Sequence, residues 1–292
     1  MTPPYPRIHV IINPSAGKDE PILNILNDVF SKYDVDWSVS VTKKFGDAEL
    51  QAKKAIAEGV DLVAGYGGDG TQHELANAMV GSGVPMGILP GGTGNGFLHE
   101  FNIPTKLSES VEILCQSTDL RETDVGKIGD QFFILRLYAG IEPEKQTTRE
   151  MKNKYGPLAY GISLKEQITK ATEAEFKLNI DDESFELSGV KCYIVNSAQT
   201  GSGIPITIES SIDDGLLDVF MLTKNIKSMK AAAHRFLHLK THDAGLYYWQ
   251  GKHITIESEP SKAIWTDGEL FGRTPISVEV VPQVLSIVVP SD

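Results

Sequence analysis

Asp69 lies among glycines in the stretch GYGGDGTQHE, and Asp267 and Glu269 flank a glycine in WTDGEL. Carboxylates placed this way can do two kinds of chemistry. One accepts the proton of an attacking hydroxyl, which requires hydrogen-bond reach, ~3 Å. The other holds a hard cation against phosphate oxygens. Gly65, Gly67 and Gly70 also satisfy G-x-G-x-x-G, in which backbone N–H groups at a helix start cradle a pyrophosphate. A dinucleotide fold carries that fingerprint after its first strand, with an acidic ribose ligand ~20 residues on. Here the match follows the third strand. The next strand ends GILPGG, without a carboxylate, and Asp69 would repel a pyrophosphate unless a cation intervened. No G-x-x-x-x-G-K-[ST] loop is present. The segment therefore reads as handling a terminal phosphate rather than a redox cofactor.

The elements that must position these residues follow from the periodicity. Arg7 to Asn13 is an apolar strand, followed by a helix headed by Asp19 with Ile22, Leu23, Ile25, Leu26, Val29 and Phe30 at three- and four-residue spacing. Asp36 to Val41 alternates as a strand, and Gly46 to Glu58 is helical. Val60 to Gly65 and Met86 to Leu89 are short apolar strands of the buried parallel kind. A helix from Thr71 to Val80 separates them, and a helical stretch follows PGGTGNG. Alternating strands and helices imply a parallel sheet with crossover helices. Both glycine loops then stand at carboxyl ends of parallel strands, where ligands bind. After about Asp124 strands dominate: Gly126 to Tyr138, Glu175 to Ile180, Ser184 to Asn196, Leu216 to Thr223, Ile254 to Glu257 and Ile276 to Val289. Helical stretches interrupt them near Lys152 to Ala171 and Ile226 to Leu239. The expected fold class is α/β plus mainly β: a parallel-sheet nucleotide-binding domain over 1–125 and a β-sandwich over 126–292, the last strand being free to return to the first domain.

The 292 residues suffice for two domains with a substantial core, and 41% hydrophobic with 23% charged residues is a globular balance. The net charge of −12 argues against nucleic acid as a partner and against broad adhesion to anionic membranes. No apolar run approaches the ~18–20 residues of a membrane span. No charged segment precedes an apolar stretch at the N-terminus, so a signal peptide is not expected. Cys115 and Cys192 read as buried free thiols of a cytoplasmic protein.

The ordered set VIINPSAGK, GYGGDGTQHELANAM, GILPGGTGNGF, SSIDDGLLDVFML and WTDGEL resembles the motifs of the diacylglycerol kinase and sphingosine kinase catalytic superfamily. NAD kinases share it in part. The resemblance covers essentially the whole chain. It implies transfer of the ATP γ-phosphate, with Mg²⁺, to a hydroxyl of a diacylglycerol, sphingoid base or related lipid, with the active site in the cleft between the domains. It implies nucleotide contact at Asn13 and Thr42, and phosphate binding by Gly67, Gly68, Gly70, Thr71, Gly92 and Thr93. Thr42 reads equally as a helix-capping hydroxyl. Glu74 is assigned to nucleotide by the family and to a capping box by its spacing from Thr71. Glu269 is the first candidate for general base and Asp69 the second, with Asp267 left to the nucleotide side. Asp-Gly alone would signal a hairpin turn.

The family's structural Mg²⁺ maps to Asp214 and the backbone carbonyl of Leu216, joined by Asp124 through water. Gly96 stands where bacterial diacylglycerol kinases often carry an Asp, and the family's usual Phe-Asp after Gly140 is absent. Glu142 and Glu144 are the positional candidates for lipid contacts, and Asn153 and Ala159 occupy places that carry nucleotide-contacting basic residues in sphingosine kinases. Arg149, Lys152 and Lys154 lie nearby and read as solvated-face charge. Lys224 to His242 carries five basic and no acidic residues beside an apolar side, which suits either a helix at the inner membrane surface or one packed on the sandwich. Two rivals are an NAD kinase-like phosphotransferase and a non-catalytic nucleotide or lipid sensor. A homodimer is left open.

Overall fold

The computed structural model describes residues 3–16, 19–92, 94–140, 171–197, 210–224 and 246–291. They divide into two compact units, with residues 3–125 and 282–291 in the first and the remainder in the second.

The first unit alternates β1 (Arg7–Ile12), α1 (Ile22–Lys32), β2 (Asp36–Val41), α2 (Asp47–Ala57), β3 (Leu62–Gly67), α3 (Asp69–Met79) and β4 (Met86–Pro90). Two helices follow, α4 (Gly96–Glu100) and α5 (Leu107–Gln116), and then β5 (Leu120–Ile128), which ends in the second unit. The strands lie in the order β2-β1-β3-β4, all parallel. Every residue of β3 and β4 is buried, as strands covered on both faces must be. The expected crossover architecture is observed. Helix α1 starts at Ile22 rather than Asp19, with Pro21 at its N-cap, and buries Leu26, Val29 and Phe30. Met86 also pairs in parallel with Ile287, at the far end of the last strand, β16 (Ile276–Val288). Val288 joins the core built by Ile8, Val10, Phe30, Leu62, Ala64, Leu89 and Leu114.

The second unit is an antiparallel β-sandwich. Its strands are β6 (Gln131–Phe133), β7 (Arg136–Gly140), β8 (Ala174–Ile180), β9 (Glu183–Gly189), β10 (Lys191–Val195), β11 (Leu217–Leu222), β12 (Leu246–Gly251), β13 (His253–Glu259), β14 (Ala263–Thr266) and β15 (Glu269–Arg273). One sheet runs β12-β11-β10-β7-β14-β15, and the other carries β13, β8 and β9 beside the first half of β16. Leu137, Ala139, Cys192, Ile194, Val219 and Ile264 of the first sheet meet Phe176, Leu178, Ile180, Ile254, Ile256 and Val278 of the second in one buried core. Two expected strands are each broken. Residues 126–138 turn at Gly129, at φ +57°, and 184–196 breaks after Gly189, where a Cβ would come 2.5 Å from the Met221 sulfur. Cys115 and Cys192 are free and buried, and burial pushes both thiols up. Among the described residues no helix is long and apolar enough to cross a membrane.

Candidate active site

The two glycine loops of the first unit lie backbone against backbone. A Cβ on Gly91 would stand 2.8 Å from the Gly67 backbone, and one on Gly92 would stand 2.5 Å from the Gly68 Cα. A Cβ on Gly67 would meet the Thr71 side chain at 2.4 Å. Close packing inside the unit thus accounts for glycine at 67, 91 and 92. Gly70 differs, because nothing lies within 4 Å of the position its Cβ would take. In the first turn of α3 a glycine there costs ~1 kcal/mol relative to alanine, with no intramolecular reason for it.

Helix α3 has Gly68, in extended conformation, at its N-cap and no side-chain capping bond. Its leading N–H groups and the positive end of its dipole suit an anion. Asn13 donates from Nδ2 to the Thr71 hydroxyl at 2.9 Å and accepts from the Ser15 N–H, which ties the opening turn to this helix start. The Thr42 N–H continues the β1–β2 ladder to the Ile12 carbonyl, and the Thr42 side chain is buried. It does not cap α2, whose N-cap is Gly46 at φ +86°. Asp69 accepts at Oδ1 from the Phe97 N–H, 3.2 Å away, and so bridges from α3 to the start of α4.

Glu74 makes no capping box. Thr71 lies inside α3, and the Glu74 Oε2 instead accepts from the Gly46 and Ala48 N–H groups at 2.9 and 3.1 Å, holding the start of α2. Burial pushes its carboxyl up despite these bonds. Asn95 was not singled out from sequence. It is buried at φ +51°, and its Oδ1 has no hydrogen-bond partner among the described residues. The signal available was an asparagine between two glycines, since asparagine tolerates the left-handed region.

In the second unit, Asp267 and Gly268 have φ of +46° and +103° and join β14 to β15 in a two-residue hairpin turn. The Asp267 carboxylate accepts three backbone N–H groups, from Ile134 at 2.8 Å, Leu135 at 3.1 Å and Arg136 at 2.8 Å. It is consumed in pinning the β6–β7 loop to the hairpin. Glu269 opens β15 and is exposed.

The residues fit nucleotide phosphates better than a preformed metal cage. Gly70 leaves room at an uncapped helix start, whereas the Asn95 oxygen, an acceptor, suits a donor group or a cation rather than a phosphate oxygen. Among the described residues no cluster of three or more His, Cys, Asp or Glu side chains could hold a metal. Mg²⁺ commonly sits on one or two carboxylates plus substrate phosphates, and Asp69 can supply one such carboxylate. For the structural cation, Asp214 and Leu216 share a turn in which Asp214 Oδ1 accepts from the Leu216 N–H at 2.9 Å. Asp124 belongs to the other unit, where its buried carboxylate accepts from the Gln283 N–H at 2.9 Å. Thr93, Glu142, Glu144, Arg149, Lys152, Asn153, Lys154 and Ala159 lie outside the described residues, as does the basic stretch beyond Lys224.

Residues 7–128 match the diacylglycerol kinase catalytic domain, and 136–289 match the YegS C-terminal NAD kinase beta sandwich-like domain. A diacylglycerol kinase of Staphylococcus carnosus is 25% identical, the match covering 98% of this chain and 96% of that one. One from Staphylococcus saprophyticus is also 25% identical at the same coverage. The crystal structure of a diacylglycerol kinase from Bacillus anthracis matches with a TM-score of 0.81 and 26% identity, over 98% of both chains.

Proposed function

The chain belongs to the diacylglycerol kinase family, and from that premise we propose that it is an ATP-dependent lipid kinase that phosphorylates a lipid hydroxyl. Gly70 carries the reading: a glycine that nothing in the chain requires, at an uncapped helix start beside a second glycine loop. ATP with Mg²⁺, when bound, supplies the phosphoryl group and a counter-charge for its oxygens. The first N–H groups of α3 bind phosphate oxygens, and the Asn13–Thr71 bond orients the Thr71 hydroxyl toward the same task. Asp69, fixed at Oδ1 by the Phe97 N–H, orients its other oxygen for the cation. Glu269, exposed and outside the pinned part of its hairpin, takes the proton from the acceptor hydroxyl. Asp267 positions that hairpin and does no chemistry.

The test is phosphoryl transfer from labelled ATP by the full chain across a panel of diacylglycerol, sphingoid base and related lipids in mixed micelles, with NAD⁺ as a further acceptor. Label in one lipid and none in NAD⁺ supports the reading. Label in NAD⁺ alone, or ATP binding without transfer to any acceptor, overturns it.

A further inference from the structure

One face of the sheet β12-β11-β10-β7-β14-β15 fills the sandwich core. The other carries aromatic residues in continuous cross-strand register: Trp265 opposite Tyr138, Tyr138 opposite Tyr193, Tyr193 opposite Phe220, and Phe220 opposite Tyr248. Trp265 stacks on Tyr138 with centroids 6.4 Å apart and planes inclined by 10°, and Tyr138 meets Tyr193 at 5.7 Å. Lys191 lies two residues from Tyr193 along β10, and Arg136 two residues from Tyr138 along β7, so both share this face.

Lys191 is only 6% exposed. Its Nζ stands 4.0 Å from the Tyr138 ring centroid and 4.7 Å from that of Tyr193. Those two rings face the ammonium, and neither Lys191 nor Arg136 has an ion pair among the described residues. The Trp265 Nε1 is buried and donates to no partner among the described residues.

A buried ammonium without a counter-charge is costly, and cation–π contact offsets only part of that cost. Burial, with the Arg136 charge adding to it, pushes the Lys191 ammonium down to about 7. Methionine in its place would fill the same space with no such penalty. Two cations without an ion pair and an N–H without an acceptor among the described residues, gathered around one tyrosine ring, are what an anion would complete.

We infer that Arg136, Lys191 and the Trp265 indole N–H form a site for a phosphate or carboxylate group, and that the lipid this chain handles carries such a group. The anion site stands on the geometry; placing the anion on a lipid rests on the lipid kinase reading.

The test is calorimetry on the full chain without nucleotide, using dihexanoyl phosphatidic acid below its micelle concentration, dihexanoylglycerol and inorganic phosphate. The wild type should bind the charged lipid at least ~10-fold tighter than the uncharged one. Lys191→Met and Arg136→Gln should each weaken charged-lipid binding ~10- to 100-fold, the scale of a charged hydrogen bond, and leave the uncharged lipid alone. Lys191→Arg should retain most of the affinity. Lys191→Met should also raise Tm by roughly 2–4 °C, because it removes an uncompensated buried charge.

Equal binding of the two lipids by the wild type, or unchanged charged-lipid binding in both variants, overturns the site. Inorganic phosphate binding as tightly as the charged lipid, with the same losses, overturns the lipid assignment. Should Lys191→Met fail to fold, Arg136→Gln carries the test from a partly exposed position. The binding pattern in a chain that phosphorylates no lipid keeps the anion site and removes the kinase reading. Transfer without the pattern does the reverse.

Discussion

Asp69 in the first unit accepts one backbone N–H, from Phe97, whereas Asp267 in the second accepts three, from Ile134, Leu135 and Arg136. Both are aspartates followed by glycine. The glycine after Asp267 has φ +103° and is required by its turn, while the one after Asp69 is a helical residue that no contact requires. The contrast separates an acid that braces a fold from an acid left with capacity for a ligand. The number of backbone donors already satisfied tells them apart, and the dipeptide does not.

The largest break in this comparison should come at the proposed proton acceptor. Glu269→Gln is expected to lower turnover ~10²–10⁴-fold with ATP affinity kept within a few-fold, measured by steady-state kinetics and nucleotide titration. If Asp69→Asn shows that pattern at saturating Mg²⁺ and Glu269→Gln keeps turnover, the two roles exchange.

Next in size is the difference among glycines. Gly92→Ala forces a Cβ to 2.5 Å from the Gly68 Cα and should destabilise the chain by about 3 kcal/mol in urea unfolding. Gly70→Ala should leave the unfolding free energy unchanged or raise it by up to ~1 kcal/mol, yet weaken ATP binding at least ~10-fold. Equal loss of stability at both positions would erase the distinction between packed and open glycines.

Asp267→Asn keeps the left-handed turn but gives up the charge and one acceptor oxygen. Thermal unfolding should report a loss of about 1–3 kcal/mol, with turnover per folded molecule unchanged. A large loss of turnover without loss of stability would move Asp267 into the chemistry.

The smallest effect is a slope. The Lys191 ammonium titrates at about 7 in the folded chain against ~10.4 when unfolded, so between those values the unfolded chain holds more protons. Its penalty is fully present below about 7 and fades as pH rises toward ~10. The urea midpoint of the wild type should therefore climb over that window more than that of Lys191→Met.

Much of the first unit was legible because its signals are local. Buried parallel strands such as Leu62–Gly67 read as apolar runs, and α2 was bounded to within a residue at each end by Gly46 and Glu58. The second unit was harder. The charged start of β5, LRETD, does not look like a strand, β12, β14 and β15 are short, and β14 pairs on one side with β7, far earlier in the sequence. The site was legible as residue types and much less as commitments. Glu74 matched a capping-box spacing that α3 does not use, because its real partners, Gly46 and Ala48, belong to another helix. Lys191 gave no signal at all, since one lysine inside the expected strand Ser184 to Asn196 looks like an outward, solvated position until the neighbouring strands bring Tyr138 beside it.

The strand Ile276–Val288 begins in the sandwich and ends beside Met86, and Ser117 and Asp119 bond the segment that follows it. During synthesis the ribosome must therefore release the whole sandwich before the nucleotide-type sheet receives its final strand. The unit encoded first is finished last. A nascent chain halted at residue 281 would leave the Met86 edge of that sheet unpaired, which makes residues 282–288 a checkpoint on whether the N-terminal half ever matures.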